Sequence, residues 1–304
     1  MTIQRLNCMK TLRRDSVTIW LSGCPVLRRF SPGPRGVPRL MILAVSQAPD
    51  YAFPHSAKDE SRRLELLEHR LDPLTKRRIQ RLGIGKGARC LEIGAGRGSI
   101  TRWLSEVAGP AGRVIATDLQ IGFLGEIDAP NVEVLRHDIR TGTFPPGSFD
   151  LIHTRAVLMH ISPSVDLLHR MVTWVAPGGW VVLEEPDFGM WTGDADPVWA
   201  TSPPSTQAAF PDMALSRGRS LLRQIHQLGL TDIGGDAELD IIRAGTDLAE
   251  FYQLSQAALA LPRVQAGALS LGQATALVDR PGDDDFLACG FVHIGVWGRR
   301  PSTR

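Results

Sequence analysis

The feature that most constrains the fold is a glycine-rich turn between a short apolar run and a helical pattern. The run Cys90-Leu-Glu-Ile93 leads into Gly94-Ala-Gly-Arg-Gly98, and residues 99–107 then carry their apolar side chains on one helical face. This order predicts a buried strand, a tight turn and the start of a helix. Because glycine adopts backbone angles closed to other residues, a ligand can lie against bare main chain at the helix N-terminus. Glu92 would place a carboxylate beneath that ligand.

The spacing of the three glycines differs from that of a dinucleotide site. Gly94, Gly96 and Gly98 follow the pattern Gly-x-Gly-x-Gly, whereas the dinucleotide fingerprint is Gly-x-Gly-x-x-Gly. An acid just before the first glycine also suits a ligand amine better than a pyrophosphate. Glu-x-Gly-x-Gly-x-Gly after a buried strand resembles motif I of the class I S-adenosylmethionine-dependent methyltransferases. The resemblance implies an α/β fold with S-adenosyl-L-methionine as cofactor: a Rossmann-like sheet of seven mostly parallel strands, the last antiparallel, with helices on both faces.

Acidic residues end the next two strand-like runs. Asp118 follows Gly98 by about 20 residues, the interval at which a carboxylate reaches ribose hydroxyls in related nucleotide-binding units. The resemblance implies that Asp138 accepts a hydrogen bond from the adenine amine and that Ile139 contacts the base. The remaining members of the expected cofactor set on these elements are Ala95 and Leu119.

A fourth strand, over residues 148–155, is predicted to end near the transferred methyl group. The resemblance implies that Thr154 and Arg155 line the methionine half of the cofactor. His153 and His160 are candidate general bases, although a histidine near a strand end is more often structural. A helix is predicted to begin within residues 156–160. Neither an Asn/Asp-Pro-Pro-Tyr/Phe motif nor a Pro-Cys nucleophile follows this strand, which argues against methylation of DNA adenine or of cytosine C5.

The fifth predicted strand leads into a segment of different character. Residues 176–185, Ala-Pro-Gly-Gly-Trp-Val-Val-Leu-Glu-Glu, resemble the turn into strand five of the same family. Residues 187–214 then carry several prolines and little periodicity, and we predict a lid insertion. Trp191 and Trp199 would enclose a flat or apolar acceptor, or would only seal a loop to the core. Glu185 is a candidate for positioning or deprotonating a hydroxyl of the acceptor, unless it only caps a neighbouring helix.

Two segments precede the first strand. Residues 50–82 show a helical leucine pattern broken at Pro73, which predicts two short helices, and they resemble the N-terminal cap of small-molecule methyltransferases. Residues 1–47 are basic and rich in turn residues, so we predict a disordered leader. The methyltransferase domain is then expected over residues 48–304.

Charge and cysteine usage narrow the classes of partner and site. The net charge is +2, and much of the basic excess lies in the first 40 residues, so the remainder offers no basic face for nucleic acid. The four cysteines are scattered and form no zinc or disulfide pattern, which favours a reducing cytoplasm and no metal site. No apolar run approaches the roughly 20 residues of a membrane span. A homodimer is left open.

The sequence therefore predicts a methyltransferase for a small-molecule acceptor. O-methylation of an aromatic, polyketide-like or lipid molecule is the preferred reaction, with carbon or nitrogen as other target atoms. A macromolecular methyltransferase for protein or RNA and a non-enzymatic S-adenosylmethionine-binding regulator are the alternatives. A nicotinamide-dependent oxidoreductase is weaker, because the glycine spacing differs.

Overall fold

A single seven-stranded sheet forms the centre of the computed structural model, which describes residues 53, 58–161, 165–193 and 196–302. The strands are Arg89–Ile93 (β1), Arg113–Asp118 (β2), Val132–Arg136 (β3), Phe149–Arg155 (β4), Val175–Asp187 (β5), Thr231–Arg243 (β6) and Leu287–Arg299 (β7). Their order across the sheet is β3-β2-β1-β4-β5-β7-β6. The pairs from β3 to β5 are parallel, and β7 runs antiparallel to both of its neighbours. The predicted Rossmann-like sheet is confirmed, and the predicted leader lies outside the described residues.

Helices cover both faces of this sheet. They are Lys58–Arg81 (α1), Ser99–Ala108 (α2), Val165–Trp174 (α3), Ser202–Ala209 (α4), Arg217–Gln227 (α5), Asp247–Gln265 (α6) and Leu271–Asp279 (α7). Within the described part of the chain, every helix is too short or too polar to cross a membrane.

The central strands are buried on both faces. Cys90 and Val114 pack against residues of α1 and α2, whereas Leu91 and Ile115 pack against residues of α3 and α5. Neighbouring residues of a strand point to opposite faces of the sheet, so a strand covered by helices on both faces needs a continuous apolar run. This burial explains why β1 and β2 read as unbroken apolar runs in the sequence.

Helix α1 continues through Pro73, so the predicted break into two short helices is wrong. A proline inside a helix costs about 3 kcal/mol because it removes one N–H donor and crowds the preceding turn. Leu71, Leu74 and Ile79 lie on the side of α1 that is buried in the domain. Burying one such side chain contributes about 1.5 to 3 kcal/mol, so together they offset the penalty.

The segment after β4 is a single 3₁₀ turn, Leu158–His160, rather than the start of a longer helix. The backbone N–H groups of Val157, Leu158 and Met159 donate to the Glu185 carboxylate at 3.0, 2.7 and 3.0 Å. These bonds from β5 fix the turn in place. The prediction of a helix here is wrong, because the chain becomes extended at Ile161 after one 3₁₀ turn.

Candidate functional site

A cavity of about 230 Å³ opens at the carboxyl ends of the parallel strands and extends below α1 towards α4 and α6. We call the part next to the glycine turn the glycine half; it is lined by Glu92–Arg97, Asp118–Gln120, His137–Arg140, Arg155 and Ala156. The remaining part is the apolar half. Its lining includes Phe53, Met159, Phe188, Trp191, Met213, Phe251, Leu259 and Phe291. One continuous cavity therefore joins a polar compartment to one that is mostly aromatic and aliphatic.

The glycine turn is held by its own main-chain bonds. Gly94, Gly96 and Gly98 have φ angles of 72°, 58° and 79°, which side chains disfavour. The N–H groups of Gly94 and Ala95 both donate to the Thr117 carbonyl, at 2.8 and 3.0 Å. A Cβ at Gly96 would stand in open space, so the turn presents bare main chain there. Gly98 instead packs against neighbouring side chains and does not line the cavity.

Asp118 closes the turn from the end of β2. Its Oδ2 accepts the Gly96 N–H at 3.0 Å, and its Oδ1 accepts the Gln120 N–H at 3.0 Å. A carboxylate offers about four acceptor positions, so roughly two remain for a ligand. Leu119, at 44% exposure, lines the cavity beside it. The geometry thus holds an oriented carboxylate at the edge of the glycine half.

Glu92 lies on the floor of the glycine half and is almost fully buried. Burial raises the pKa of its carboxyl group, and the Thr101 hydroxyl donates to Oε2. His153 lies behind it, with Nδ1 3.9 Å from Glu92 Oε1 and Nε2 3.6 Å from Glu184 Oε2. The His153 ring is fully buried and does not line the cavity, so its position gives no support to a role as general base.

The third predicted acid, Asp138, lines the cavity after β3 together with Ile139. Both Asp138 oxygens accept bonds from the Arg140 guanidinium, at 2.7 to 3.0 Å. This contact, opposed by burial, lowers the pKa of Asp138. An adenine amine would therefore share the Asp138 carboxylate with Arg140.

Arg155 connects β4 to the helix above the cavity. Its Nη1 donates to Asp72 Oδ1 at 3.0 Å and to Thr75 Oγ1 at 3.1 Å, both on α1. Leu64 and Leu67 of the same helix line the cavity, as the predicted N-terminal cap would require. Thr154 points elsewhere: it is fully buried and is absent from the cavity lining.

Two of the three residues proposed for the acceptor lie away from the cavity. Glu185 is buried and binds the turn that carries His160, so it supports that turn from behind. Burial raises the pKa of Glu185 to about 7, although the backbone N–H groups it accepts lower it. Trp199 is 1% exposed and donates to the Cys289 carbonyl at 2.9 Å. Trp199 therefore packs the loop against the core and does not line the cavity. Trp191 is stacked on Trp199, with ring centroids 4.6 Å apart, and does line the cavity.

His160 lies on the 3₁₀ turn after β4 and lines the cavity, with its ring centroid 6.2 Å from that of Phe53 in the apolar half. Burial, followed by the positive charge of Arg63, lowers the pKa of His160 to about 4. Arg63 itself is paired with Glu60, at 2.7 Å for both of its bonds. The His160 imidazole is therefore neutral near pH 7.

Sequence reasoning missed a polar group at the far end of the apolar half. Ser202 and Thr206 of α4 line the cavity there together with Gln256 and Arg263 of α6. Spacings of four and seven residues place each pair on one helical face, which was the available signal. Among the described residues, no group of three or more His, Cys, Asp or Glu side chains is arranged to hold a metal ion.

The family is decided by a match over more than half of the chain. A family model described as a methyltransferase domain matches residues 67–233. The chain belongs to the class I S-adenosylmethionine-dependent methyltransferases. Its cofactor is therefore S-adenosyl-L-methionine.

Several curated relatives are named as methyltransferases, and the chain matches each of them only in part. Methyltransferase str3 of Strobilurus tenacellus is 32% identical over 127 residues, which are 41% of this chain and 42% of that protein. The ubiquinone/menaquinone biosynthesis C-methyltransferase UbiE of Ectopseudomonas mendocina is 30% identical over 115 residues, 35% of this chain and 45% of that protein. The chain thus spans somewhat less than half the length of these two relatives.

A solved structure of similar arrangement is phosphoethanolamine N-methyltransferase 2 of Haemonchus contortus, in complex with S-adenosyl-L-methionine. It is 18% identical, covers 80% of this chain and 53% of its own, and has a TM-score of 0.48.

The glycine half fits the chemistry of the cofactor. Carboxylates from Glu92, Asp118 and Asp138 face a compartment whose glycine N–H groups already bond within the protein. Such a lining suits hydroxyls and amines, and it would repel the pyrophosphate of a dinucleotide. The open space at Gly96 leaves room for a ligand against the main chain.

Proposed function

We propose that this methyltransferase transfers the methyl group to an oxygen atom of a small apolar acceptor held in the apolar half of the cavity. The observation that carries the proposal is that one cavity contains both halves and is lined by His160. The rings of Phe188, Phe251 and Phe291 form an apolar wall of the kind that binds small molecules. A cavity of about 230 Å³ favours a small acceptor over a protein or RNA segment.

Residues of the glycine half are assigned to the cofactor in the same proposal. Asp118 accepts hydrogen bonds from the ribose hydroxyls, Glu92 attracts the amine, and Asp138 and Ile139 contact the adenine. The chemistry that S-adenosylmethionine supplies when bound is a methyl group activated by a sulfonium. The protein must then hold the acceptor oxygen in line and exclude water, and such positioning can lower a barrier by roughly 7 to 11 kcal/mol.

His160 is the residue that we assign as general base. It is neutral at pH 7 and lines the cavity that the two halves share, and in this proposal it takes the proton of an acceptor hydroxyl. General bases contribute about 10²- to 10⁴-fold, and a pKa well below the working pH puts His160 at the low end of that range. Its removal should therefore lower turnover about 100-fold where the acceptor is a poorly ionised hydroxyl.

Methylation of an aromatic carbon is a second candidate for the same cavity. It is favoured by the similarity to UbiE, which is named as a C-methyltransferase of ubiquinone and menaquinone biosynthesis. The two reactions differ in the product, because an O-methyl and a C-methyl group have distinct NMR shifts.

The test is a screen of phenols, hydroxyacids and hydroxyquinones with S-adenosylmethionine that carries ¹³C in its methyl group. We expect an O-methyl product whose formation falls about 100-fold in His160→Gln, with affinity for S-adenosylhomocysteine within about twofold of wild type. His169→Gln, at an exposed histidine of α3, is the matched control and should behave as wild type. Methyl transfer only to protein or RNA would contradict the proposal. Full activity of His160→Gln would refute the assignment of His160 as the general base.

A further inference from the structure

The far end of the apolar half contains a buried positive charge that has no acidic partner among the described residues. Arg263 is 1% exposed, and its donors reach only neutral oxygens. Nη1 donates to Gln256 Oε1 at 2.7 Å, and Nη2 donates to Ser202 Oγ at 3.1 Å and to Thr206 Oγ1 at 2.7 Å. Two of the five N–H donors of this guanidinium, including Nε–H, have no partner among the described residues.

The other buried arginines of the described chain each have an acidic neighbour. Arg63 pairs with Glu60, Arg78 pairs with Glu184, and the charge of Glu185 acts on Arg217. Burial lowers the pKa of Arg263 to about 9, and no acidic group in the described part of the chain opposes that effect. A charge taken out of water without a partner is costly, so proteins rarely keep one without a function.

The neighbours of Arg263 hold it in place without neutralising it. Ser202 also donates to Gln256 Oε1 at 3.0 Å, and Thr206 also donates to the Ser202 carbonyl at 2.7 Å. This network joins α4 to α6 and presents the guanidinium to the cavity that Arg263 lines. The arrangement is typical of a side chain that is positioned for a ligand.

We propose that Arg263 binds a carboxylate carried by the acceptor, at the end of the apolar half away from the glycine turn. The proposal rests on the proposed function, because it adds an anionic group to the same small apolar acceptor. One carboxylate neutralises one guanidinium, and the Nε–H group, which has no partner among the described residues, can donate to it. A phosphate ester carries about −1.5 to −2 charges at pH 7 and would leave excess negative charge in this apolar compartment. The acceptor class is therefore an apolar hydroxyacid.

The experiment compares matched acids and amides in the complex with S-adenosylhomocysteine. The probes are octanoate, 3-phenylpropanoate and 4-hydroxybenzoate, each titrated by calorimetry beside its primary amide. At least one acid should bind wild type tenfold or more tightly than its amide. In Arg263→Met the ratio should fall below about threefold, while the affinity for S-adenosylhomocysteine stays within about twofold.

Two further variants keep the test decisive. Arg263→Gln removes the charge but retains polar contacts to α4, and it should lose the preference for the acid even if Arg263→Met folds poorly. Arg63→Met removes another arginine that lines the cavity, one whose charge Glu60 already neutralises, and should retain the preference. The proposal would be overturned if no acid binds wild type better than its amide does. It would also be overturned if the acid-to-amide affinity ratio stays high in both Arg263 variants, or if it is lost in Arg63→Met.

The outcomes separate this site from the proposed function. Acid binding that depends on Arg263, without methyl transfer to any small molecule, would support the anion site and count against the proposed function. Methyl transfer to neutral acceptors by a protein with no acid preference would overturn the anion site alone.

Discussion

Replacement of Asp118 by asparagine should weaken cofactor binding strongly while the fold persists. The carboxylate accepts the Gly96 and Gln120 N–H groups, each at 3.0 Å, and its remaining lone pairs face the cavity. Asparagine keeps one acceptor oxygen, but its NH₂ group would face one of the N–H or O–H groups that donate to the carboxylate in wild type. Hydrogen bonds to charged groups contribute about 1.5 to 3 kcal/mol, so we expect a loss of about 1.4 to 2.8 kcal/mol. That loss is a 10- to 100-fold increase in Kd.

The assay is titration calorimetry with S-adenosylhomocysteine. Asp150→Asn is a matched control, because Asp150 also belongs to a strand and accepts a backbone N–H, that of Arg89 at 2.9 Å, but lies away from the cavity. It should leave the Kd within about twofold of wild type. An Asp118→Asn protein with unchanged Kd and an intact circular dichroism spectrum would refute the assignment of Asp118 to the ribose.

Three further predictions concern the turn, acid stability and a buried thiol. Gly94→Ala should destabilise the fold by about 2 to 4 kcal/mol in urea unfolding, because its Cβ would lie 2.1 Å from a side-chain carbon. Gly96→Ala should fold and instead weaken S-adenosylhomocysteine binding at least about tenfold. A stable Gly94→Ala protein together with an unstable Gly96→Ala protein would contradict these two predictions. Burial lowers the pKa of His293 to about 3, so this histidine binds a proton in the unfolded chain but not in the folded protein between pH 6.5 and 3, which costs stability as the pH falls. The ratio of the urea midpoint at pH 5 to that at pH 7 should therefore be higher in His293→Gln than in wild type, and an unchanged ratio would contradict the lowered pKa. Burial raises the pKa of Cys90 to about 12, so peptide mapping should find it unlabelled by iodoacetamide at pH 8 in the native protein and labelled in guanidinium; native labelling would contradict its burial.

The layered sheet could be predicted from the sequence because local patterns specify it. Strands buried on both faces read as continuous apolar runs, and the alternating glycines after β1 leave few conformations for the turn. Residues at the carboxyl ends of neighbouring parallel strands meet at one edge. For that reason Asp118 and Asp138 could be expected beside Glu92 before any coordinates were known.

The predictions that were wrong depended on contacts between distant segments. Pro73 suggested a helix break, but the packing of α1 on the domain outweighs its local penalty. Glu185 was expected near the acceptor, yet it binds backbone N–H groups about 27 residues earlier in the chain. Trp191 and Trp199 are alike in sequence, and only the course of the loop decides that one of them reaches the cavity.

The role of Arg263 could not be predicted from the sequence either, because it depends on contacts between distant segments. Its neighbours Ser202 and Thr206 lie about 60 residues away, so no local pattern distinguishes this arginine from an exposed one. The absence of an acidic partner is visible only when the side chains within hydrogen-bonding distance are known. The fold and the residues at the strand ends can thus be predicted from local sequence patterns. The balance of charges in the cavity depends on tertiary contacts and cannot.

A crystal structure of the protein with S-adenosylhomocysteine would test the central claim most directly. We expect the ribose hydroxyls within about 3 Å of the Asp118 carboxylate, the adenine beside Ile139, and the sulfur facing the apolar half near His160. A ligand bound with its ribose away from Asp118, or with its sulfur facing away from the apolar half, would contradict the assignment of the two halves.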